Sequence, residues 1–102
     1  MSTQFEVDCL WIPRSHGGRR TDPHPGLRLG IRWQRHIQEY TELYRDVQIE
    51  QLAVDPSTRQ GTALLRLTGT EQVPSDWLKE GELVELLEGF NVVAVARIVK
   101  VR

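Results

Sequence analysis

Few residues of this chain have the types and spacing that catalysis or metal binding requires. His16, Asp22, His24 and Cys9 are zinc-binding residue types, but their spacing matches no zinc-binding pattern. The sequence also lacks a Gly-rich loop ending in Gly-Lys-Ser/Thr and a Gly-x-Ser-x-Gly nucleophile turn. We therefore expect no enzymatic activity, no metal or cofactor and no nucleotide binding, and we interpret Cys9 as a small buried thiol.

The most distinctive segment for binding is 15–21, Ser-His-Gly-Gly-Arg-Arg-Thr. Gly17 and Gly18 allow backbone angles and close approaches that other residues do not, so they are expected to shape the loop. Arg19 and Arg20 follow at once and place two guanidinium groups beside a tight turn. Two interpretations stay open: contact with phosphates or an acidic partner, or pairing of Arg19 with an acidic residue of the C-terminal half.

Two further arginines are expected on one face of a strand. The apolar residues of 27–33 alternate with Arg28, Gly30 and Arg32, which is typical of a half-buried strand. Successive side chains of a strand point to opposite faces, so Arg28 and Arg32 are predicted on the exposed face.

The sequence predicts that strands and turns position these side chains. Gly and Pro mark 14–26 as a long loop and 88–91 as a hairpin turn. The segment 36–52 also fits helical spacing, and we favour a strand from 44 because Val47, Ile49 and Gln51 alternate. The predicted strands are 4–12, 27–34, 44–54, 62–68, 82–87 and 92–101.

Six short strands with almost no helical pattern indicate an all-β fold, a small antiparallel six-stranded barrel or a sandwich. Trp11, Trp33 and Trp77 are expected in its core. The carboxylates Glu80, Glu82, Glu85 and Glu88 are expected on the solvated side of the last hairpin.

Length and composition favour one domain, 1–102, without a membrane segment. The chain has 102 residues, a net charge of -1 and one cysteine. It shows no signal peptide and no apolar stretch near the ~20 residues that cross a bilayer, so we expect a cytoplasmic protein. The charge is uneven: residues 1–38 carry six arginines against three acidic residues, and 39–102 carry seven basic residues against eleven acidic ones.

Both ends of the chain resemble a known family. The segment 5–33, with Gly17, Gly18, Arg19, Thr21, Gly26 and Arg28 at matching intervals, resembles the opening of the third domain of elongation factor Tu. The segment 77–101 is similar to the last hairpin of that domain. Together these segments cover about half of the chain; the family's Val-Thr-Gly strand and Pro-Gly-Asp turn have no counterpart between 36 and 76.

The resemblance implies a six-stranded antiparallel β-barrel, a diverged and free-standing version of that third, C-terminal domain. In the family this barrel contributes to tRNA binding and to contacts with protein partners. Arg19, Arg20, Glu88 and Gly89 match family positions that contact tRNA, whereas Gly30 stands where the family has a Gln that touches the RNA. No segment of these 102 residues resembles the family's GTPase domain, so we do not expect nucleotide-driven switching from the resemblance.

Two functions follow as expectations. The first is a non-catalytic protein-interaction module, related to translation through the family resemblance. The alternative is an RNA-binding module, with tRNA-like RNA on the basic region from Arg14 to Arg35. The candidate binding residues for either function are Arg19, Arg20, Arg28, Arg32, Glu88 and Gly89, with Gly17 and Gly18 shaping the loop.

Overall fold

The chain folds as a closed six-stranded antiparallel β-barrel, which confirms the predicted fold class. The structure is a computed structural model, and its description covers residues 3–36, 45–69 and 73–102. Around the barrel the strands follow the order β1-β4-β3-β2-β5-β6, and β6 closes onto β1. The strands are β1 (Gln4–Trp11), β2 (Arg28–Trp33), β3 (Arg45–Val54), β4 (Gln60–Leu67), β5 (Leu83–Glu88) and β6 (Asn91–Val101).

Alternating apolar residues fill the inside of the barrel, because every second side chain of a strand points to the same face. On β1, for example, Phe5, Val7 and Trp11 are buried while Asp8 and Leu10 are exposed. All three tryptophans lie in the core, as predicted. The buried core consists of Phe5, Val7, Cys9, Trp11, Leu29, Ile31, Trp33, Val47, Ile49, Ala63, Leu65, Leu67, Trp77, Val84, Leu86, Val93, Ala94, Ala96 and Ile98.

Three irregularities bend the strands around this core. The register shifts between Glu6 and Val7, between Ile49 and Gln51, and between Leu86 and Leu87. An extra residue on one strand increases local bending and twist, which helps a small sheet close on itself. After the shift in β3 the side chains that point inward are those of even-numbered instead of odd-numbered residues. Val47 and Ile49 are therefore followed on the inner face by the partly buried Leu52.

The predicted strands agree with the observed ones to within two residues at each described end. The strand interpretation of 44–54 is confirmed by β3, while 37–44 lie outside the described residues. Glu82 was wrongly expected on the solvated side: it is buried, because it has the same inward parity as Val84 and Leu86. Of the polar face expected on β2, Gly30 is buried and Arg32 is only partly exposed.

Two tryptophans close one end of the barrel. The Trp33 Nε1–H donates a 2.7 Å hydrogen bond to the Trp77 carbonyl oxygen, and the two ring centroids lie 5.4 Å apart. The His36 ring stacks on Trp77 with centroids 4.4 Å apart. Trp77 therefore fixes the 73–81 connection, as expected of an apolar anchor. Within the described ranges, no helix is long and apolar enough to cross a membrane.

Candidate partner-binding surface

The Gly-Gly-Arg-Arg loop packs against the turn between β5 and β6. Asn91 Nδ2–H donates a 2.7 Å hydrogen bond to the Gly17 carbonyl oxygen. Arg19 Nε lies 3.0 Å from Glu88 Oε2. We call residues 17–20 and 88–91 together the tip surface, since they meet where the last hairpin turns.

Gly18 brings the loop close to the end of β1. Its N–H donates to the Pro13 carbonyl oxygen at 3.0 Å, and a Cβ at this position would lie 1.8 Å from the Ile12 carbonyl oxygen. Only glycine permits so close a backbone approach. The predicted loop-shaping role of Gly18 therefore has a steric cause, while Gly17 takes a φ of +91° with open space around it.

The turn between β5 and β6 presents an aromatic ring to solvent. Glu88 pairs with Asn91 in the ladder, which leaves a two-residue turn of Gly89 and Phe90. Gly89 has a φ of +64°, and glycine is favoured at the first position of such hairpin turns. Phe90 follows with 97% of its surface exposed, the most exposed of the large hydrophobic side chains in the described part of the chain.

The two adjacent arginines of the loop have different environments. Arg19 is only 12% exposed, pairs with Glu88 and donates through Nη2 to Thr21 Oγ1 at 3.1 Å. This contact agrees with the second interpretation of the loop, in which Arg19 pairs within the fold. Arg20 is exposed and makes no ion pair or side-chain hydrogen bond with another described residue. Arg19 thus braces the tip surface, and Arg20 is its available cation.

The other two candidate arginines lie on β2. Arg32 pairs with Glu85 through Nη2 at 2.9 Å and donates to the same oxygen through Nε. Arg28 is exposed and, among the described residues, has no charged partner. Beyond these, Arg35 pairs with Glu82 at 2.8 Å. Half of the six N-terminal arginines are therefore neutralised by glutamates of the C-terminal half, which reduces the basic surface expected from the sequence.

The residues considered for metal binding do not converge. Across residues 3–36, 45–69 and 73–102, no three His, Cys, Asp or Glu side chains form a group that could hold a metal ion. Cys9 is buried in the core, and burial raises the pKa of its thiol, an effect that a contact with Trp11 offsets only in part. A thiol in such surroundings is a poor nucleophile and a poor metal ligand.

The sequence analysis singled out residues of both segments of the tip surface but not Phe90 or Asn91. The available signal was an aromatic residue directly after a Glu-Gly pair at a hairpin turn, where a side chain points away from the sheet. Asn91 is recognisable only in the folded chain, because its partner Gly17 is 74 residues away.

Comparison with models of protein families and with curated proteins finds no match for this chain. Its function is therefore argued from the tip surface and from the residues that hold it in place.

Proposed function

We propose that this chain is a non-catalytic protein-interaction module that binds a protein partner through the tip surface. The observation that carries the proposal is the exposure of Phe90 at a braced hairpin turn. A fully exposed phenylalanine contributes little to folding, whereas burying it against a partner removes a large apolar area from water. Buried aromatic anchors of this kind dominate the free energy of many protein interfaces.

The contacts on either side of Phe90 favour binding, because they fix the backbone of the turn that carries the ring. The Arg19–Glu88 ion pair and the hydrogen bond from Asn91 to Gly17 tie the turn to the loop. Preorganisation of this kind lowers the entropy that association costs. Arg20, in the loop segment of the tip surface, supplies a cation for a carboxylate at the rim of the partner's pocket.

The partner class that we propose is a translation-related protein of the cytoplasm. The support is the resemblance of 5–33 and 77–101 to the third domain of elongation factor Tu, a barrel that contacts other proteins. The Gly-Gly-Arg loop and the Glu-Gly turn, the two matched motifs, are the segments that meet in the tip surface.

The test compares proteins captured from the source cell by the immobilised wild-type chain, by Phe90→Ser and by a control variant, Val101→Ser. Phe90→Ser removes only the exposed ring, so the free energy of unfolding should change by no more than about 0.5 kcal/mol. We expect a protein that wild type and Val101→Ser retain equally. Its affinity for Phe90→Ser should fall about 30-fold, the loss typical of an interface hot spot.

A captured set that is the same for Phe90→Ser and wild type would contradict the proposal, as would recovery of RNA without protein. The affinity is then measured with the purified partner. In that measurement Arg20→Ala should weaken binding more at low salt than at high salt, because its contact is with an exposed charge.

The second candidate function is RNA binding, which one observation favours. Phe90 and Arg20 both belong to the tip surface, and Arg20 has no ion-pair partner among the described residues, so a base could stack on the ring while a phosphate contacts the guanidinium. Titration with total tRNA at low salt separates the two functions. RNA binding requires an affinity that falls steeply with salt and is reduced in Phe90→Ser and Arg20→Ala alike.

A further inference from the structure

A second apolar surface lies on the outside of the barrel, across β4, β1, β6 and β5. Leu10 on β1 is 41% exposed and Leu83 on β5 is 48% exposed, and the half-buried Val95 on the intervening β6 is the ladder partner of Leu10. They line a shallow depression of about 790 Å³ that extends from Gln34 to Asp55. Contiguous exposed apolar side chains of this kind mark interaction surfaces. We call this surface the outer face.

The ladder registers arrange the outer face in two rows that run across the four strands. In one row Leu10 lies between Gln60 and Val95, and Glu85 follows on β5. In the other row Asp8 lies between Thr62 and Arg97, and Leu83 follows. Arg97 Nη2 is 3.2 Å from Asp8 Oδ2 in this row, and both side chains are at least half exposed. The charged pair and the apolar pair are therefore adjacent, one on each row of β1 and β6.

This arrangement is complementary to itself. Consider a two-fold axis that runs parallel to the strands, between the two facing sheets and above the midline between β1 and β6. This axis places each residue of β1 opposite the residue on β6 of the second copy that corresponds to its ladder partner. Asp8 then faces Arg97 of the second copy, and Leu10 faces Val95. Under the same rotation Leu83 lies over the methyl group of Thr62, and Gln60 meets Glu85. Each carboxylate therefore faces a hydrogen-bond donor of the second copy, and each apolar group faces another apolar group.

We propose that the outer face binds a second copy of this chain, forming a two-fold symmetric dimer by face-to-face packing of the two sheets. This inference rests on the outer face alone and is independent of the function assigned to the tip surface. Aligned packing of two sheets is a common arrangement in which outward side chains interdigitate. The depression has room for the side chains of the second copy. Its floor includes Cys9, Val84 and Ala96, whose side chains belong to the core, so only their backbone atoms face outward.

The topology of the barrel disfavours the usual alternative for β proteins. Pairing through an edge strand requires a strand with one free side, and each of the six described strands has a hydrogen-bonded neighbour on both sides. A specific interface needs about 600 Å² from each copy, roughly a tenth of the 6295 Å² surface of the chain. For an interface near this lower size limit we expect a Kd in the micromolar range.

Analytical ultracentrifugation of charge-reversed variants tests the symmetry directly. Asp8→Arg and Arg97→Asp each place like charges opposite one another, and we expect at least about 100-fold weaker self-association. In a 1:1 mixture of these two variants, every reversed charge again meets an opposite one, so a mixed dimer should form. The double variant Asp8→Arg/Arg97→Asp should dimerise by itself for the same reason.

The controls separate loss of the dimer from loss of the fold. Lys79→Asp makes the same charge change as Arg97→Asp at an exposed position outside the outer face and should leave the Kd unchanged. Circular dichroism should show the same barrel in every variant; if a single charge reversal unfolds the chain, the double variant still decides the outcome. Leu10→Glu should abolish the dimer, because it places a charge opposite Val95.

Three results would overturn the inference. The first is a wild-type chain that is monomeric at about 1 mM, where even a weak micromolar dimer is saturated. The second is self-association of Asp8→Arg or Arg97→Asp as strong as that of wild type. The third is a double variant that stays monomeric while folded, which would assign the outer face to a different occupant.

Discussion

Gly17 and Gly18 are adjacent, yet they are needed for different reasons. Gly17 takes a positive φ in open space, whereas Gly18 leaves no room for a Cβ beside the Ile12 carbonyl oxygen. Replacement of Gly18 must therefore displace the loop, while Gly17 needs only a residue that tolerates the left-handed region.

We expect Gly18→Ala to lower the free energy of unfolding by about 2–3 kcal/mol, because the new methyl group overlaps with backbone. Gly17→Asn is the matched control and should cost less than about 1 kcal/mol, since Asn often adopts positive φ. Urea denaturation followed by tryptophan fluorescence measures both. Equal losses for the two variants would contradict the steric explanation.

Glu82 is a buried carboxylate that depends on one partner. Its side chain is 7% exposed, and Oε1 lies 2.8 Å from Nη1 of Arg35, whose side chain is 74% exposed. The other oxygen, Oε2, has no hydrogen-bond partner among the described residues. Removal of Arg35 would leave the charge of Glu82 buried without compensation.

Arg35→Ala should therefore lower the free energy of unfolding by about 2 kcal/mol, less than the 3–5 typical of fully buried pairs because Arg35 is in contact with water. Arg102→Ala is the control and should cost less than about 1 kcal/mol, because its partner Glu6 is 35% exposed and stays solvated when the pair is broken. Addition of Glu82→Gln to Arg35→Ala should recover part of the loss. If the double variant is less stable than Arg35→Ala, the buried charge is not the cause.

At the scale of elements, the turn between β3 and β4 is organised by one carboxylate. Asp55 Oδ1 accepts hydrogen bonds from the Ser57 amide at 2.8 Å and the Ser57 hydroxyl at 2.7 Å, with Thr58 N at 3.4 Å. The Ser57 hydroxyl and the backbone amides of Ser57 and Thr58 hold the pKa of Asp55 below its ordinary value. The ionised form is therefore the one that stabilises this turn.

A group with a lowered folded-state pKa contributes stability above its unfolded pKa and loses it as pH falls through the folded value. We expect wild type to be more stable than Asp55→Asn near neutral pH and the difference to shrink as the pH falls below the ordinary pKa of an aspartate. Urea denaturation of both proteins at several pH values measures this difference. A difference that does not change with pH would show that the turn depends on the shape of Asp55 rather than on its charge.

The strands themselves could be predicted from the sequence because alternation is a local property. The pattern of Leu29, Ile31 and Trp33 gives β2 its inward face without knowledge of its neighbours. The three bulges could not be predicted, because an extra residue in a ladder depends on the strand opposite. Glu82 illustrates both cases. Its spacing from Val84 in the sequence indicates an inward side chain, but its ion pair with Arg35 depends on contact between distant segments.

At the scale of the whole molecule, the uneven charge of the chain is balanced by contacts across the barrel. Three arginines of the first 38 residues pair with three glutamates at or beside β5. The halves could be assigned opposite charge from composition alone, while the pairs of Arg32 and Arg35 depend on β2 lying beside β5 and the pair of Arg19 depends on the loop reaching the β5–β6 turn. The tip surface likewise joins residues 17–20 to 88–91, so it exists only in the closed barrel.

Closure of the barrel by β1 and β6 also brings the two ends of the described chain together. The Arg102 amide donates a 2.9 Å hydrogen bond to the Gln4 carbonyl oxygen, and Arg102 Nε lies 3.4 Å from Glu6 Oε2. A short peptide could join these ends without disturbing a strand, and new ends could be opened in the exposed turn at 55–58. The same adjacency suits the barrel to insertion as a complete cassette into a surface loop of a host protein, because it enters and leaves the host at almost one point.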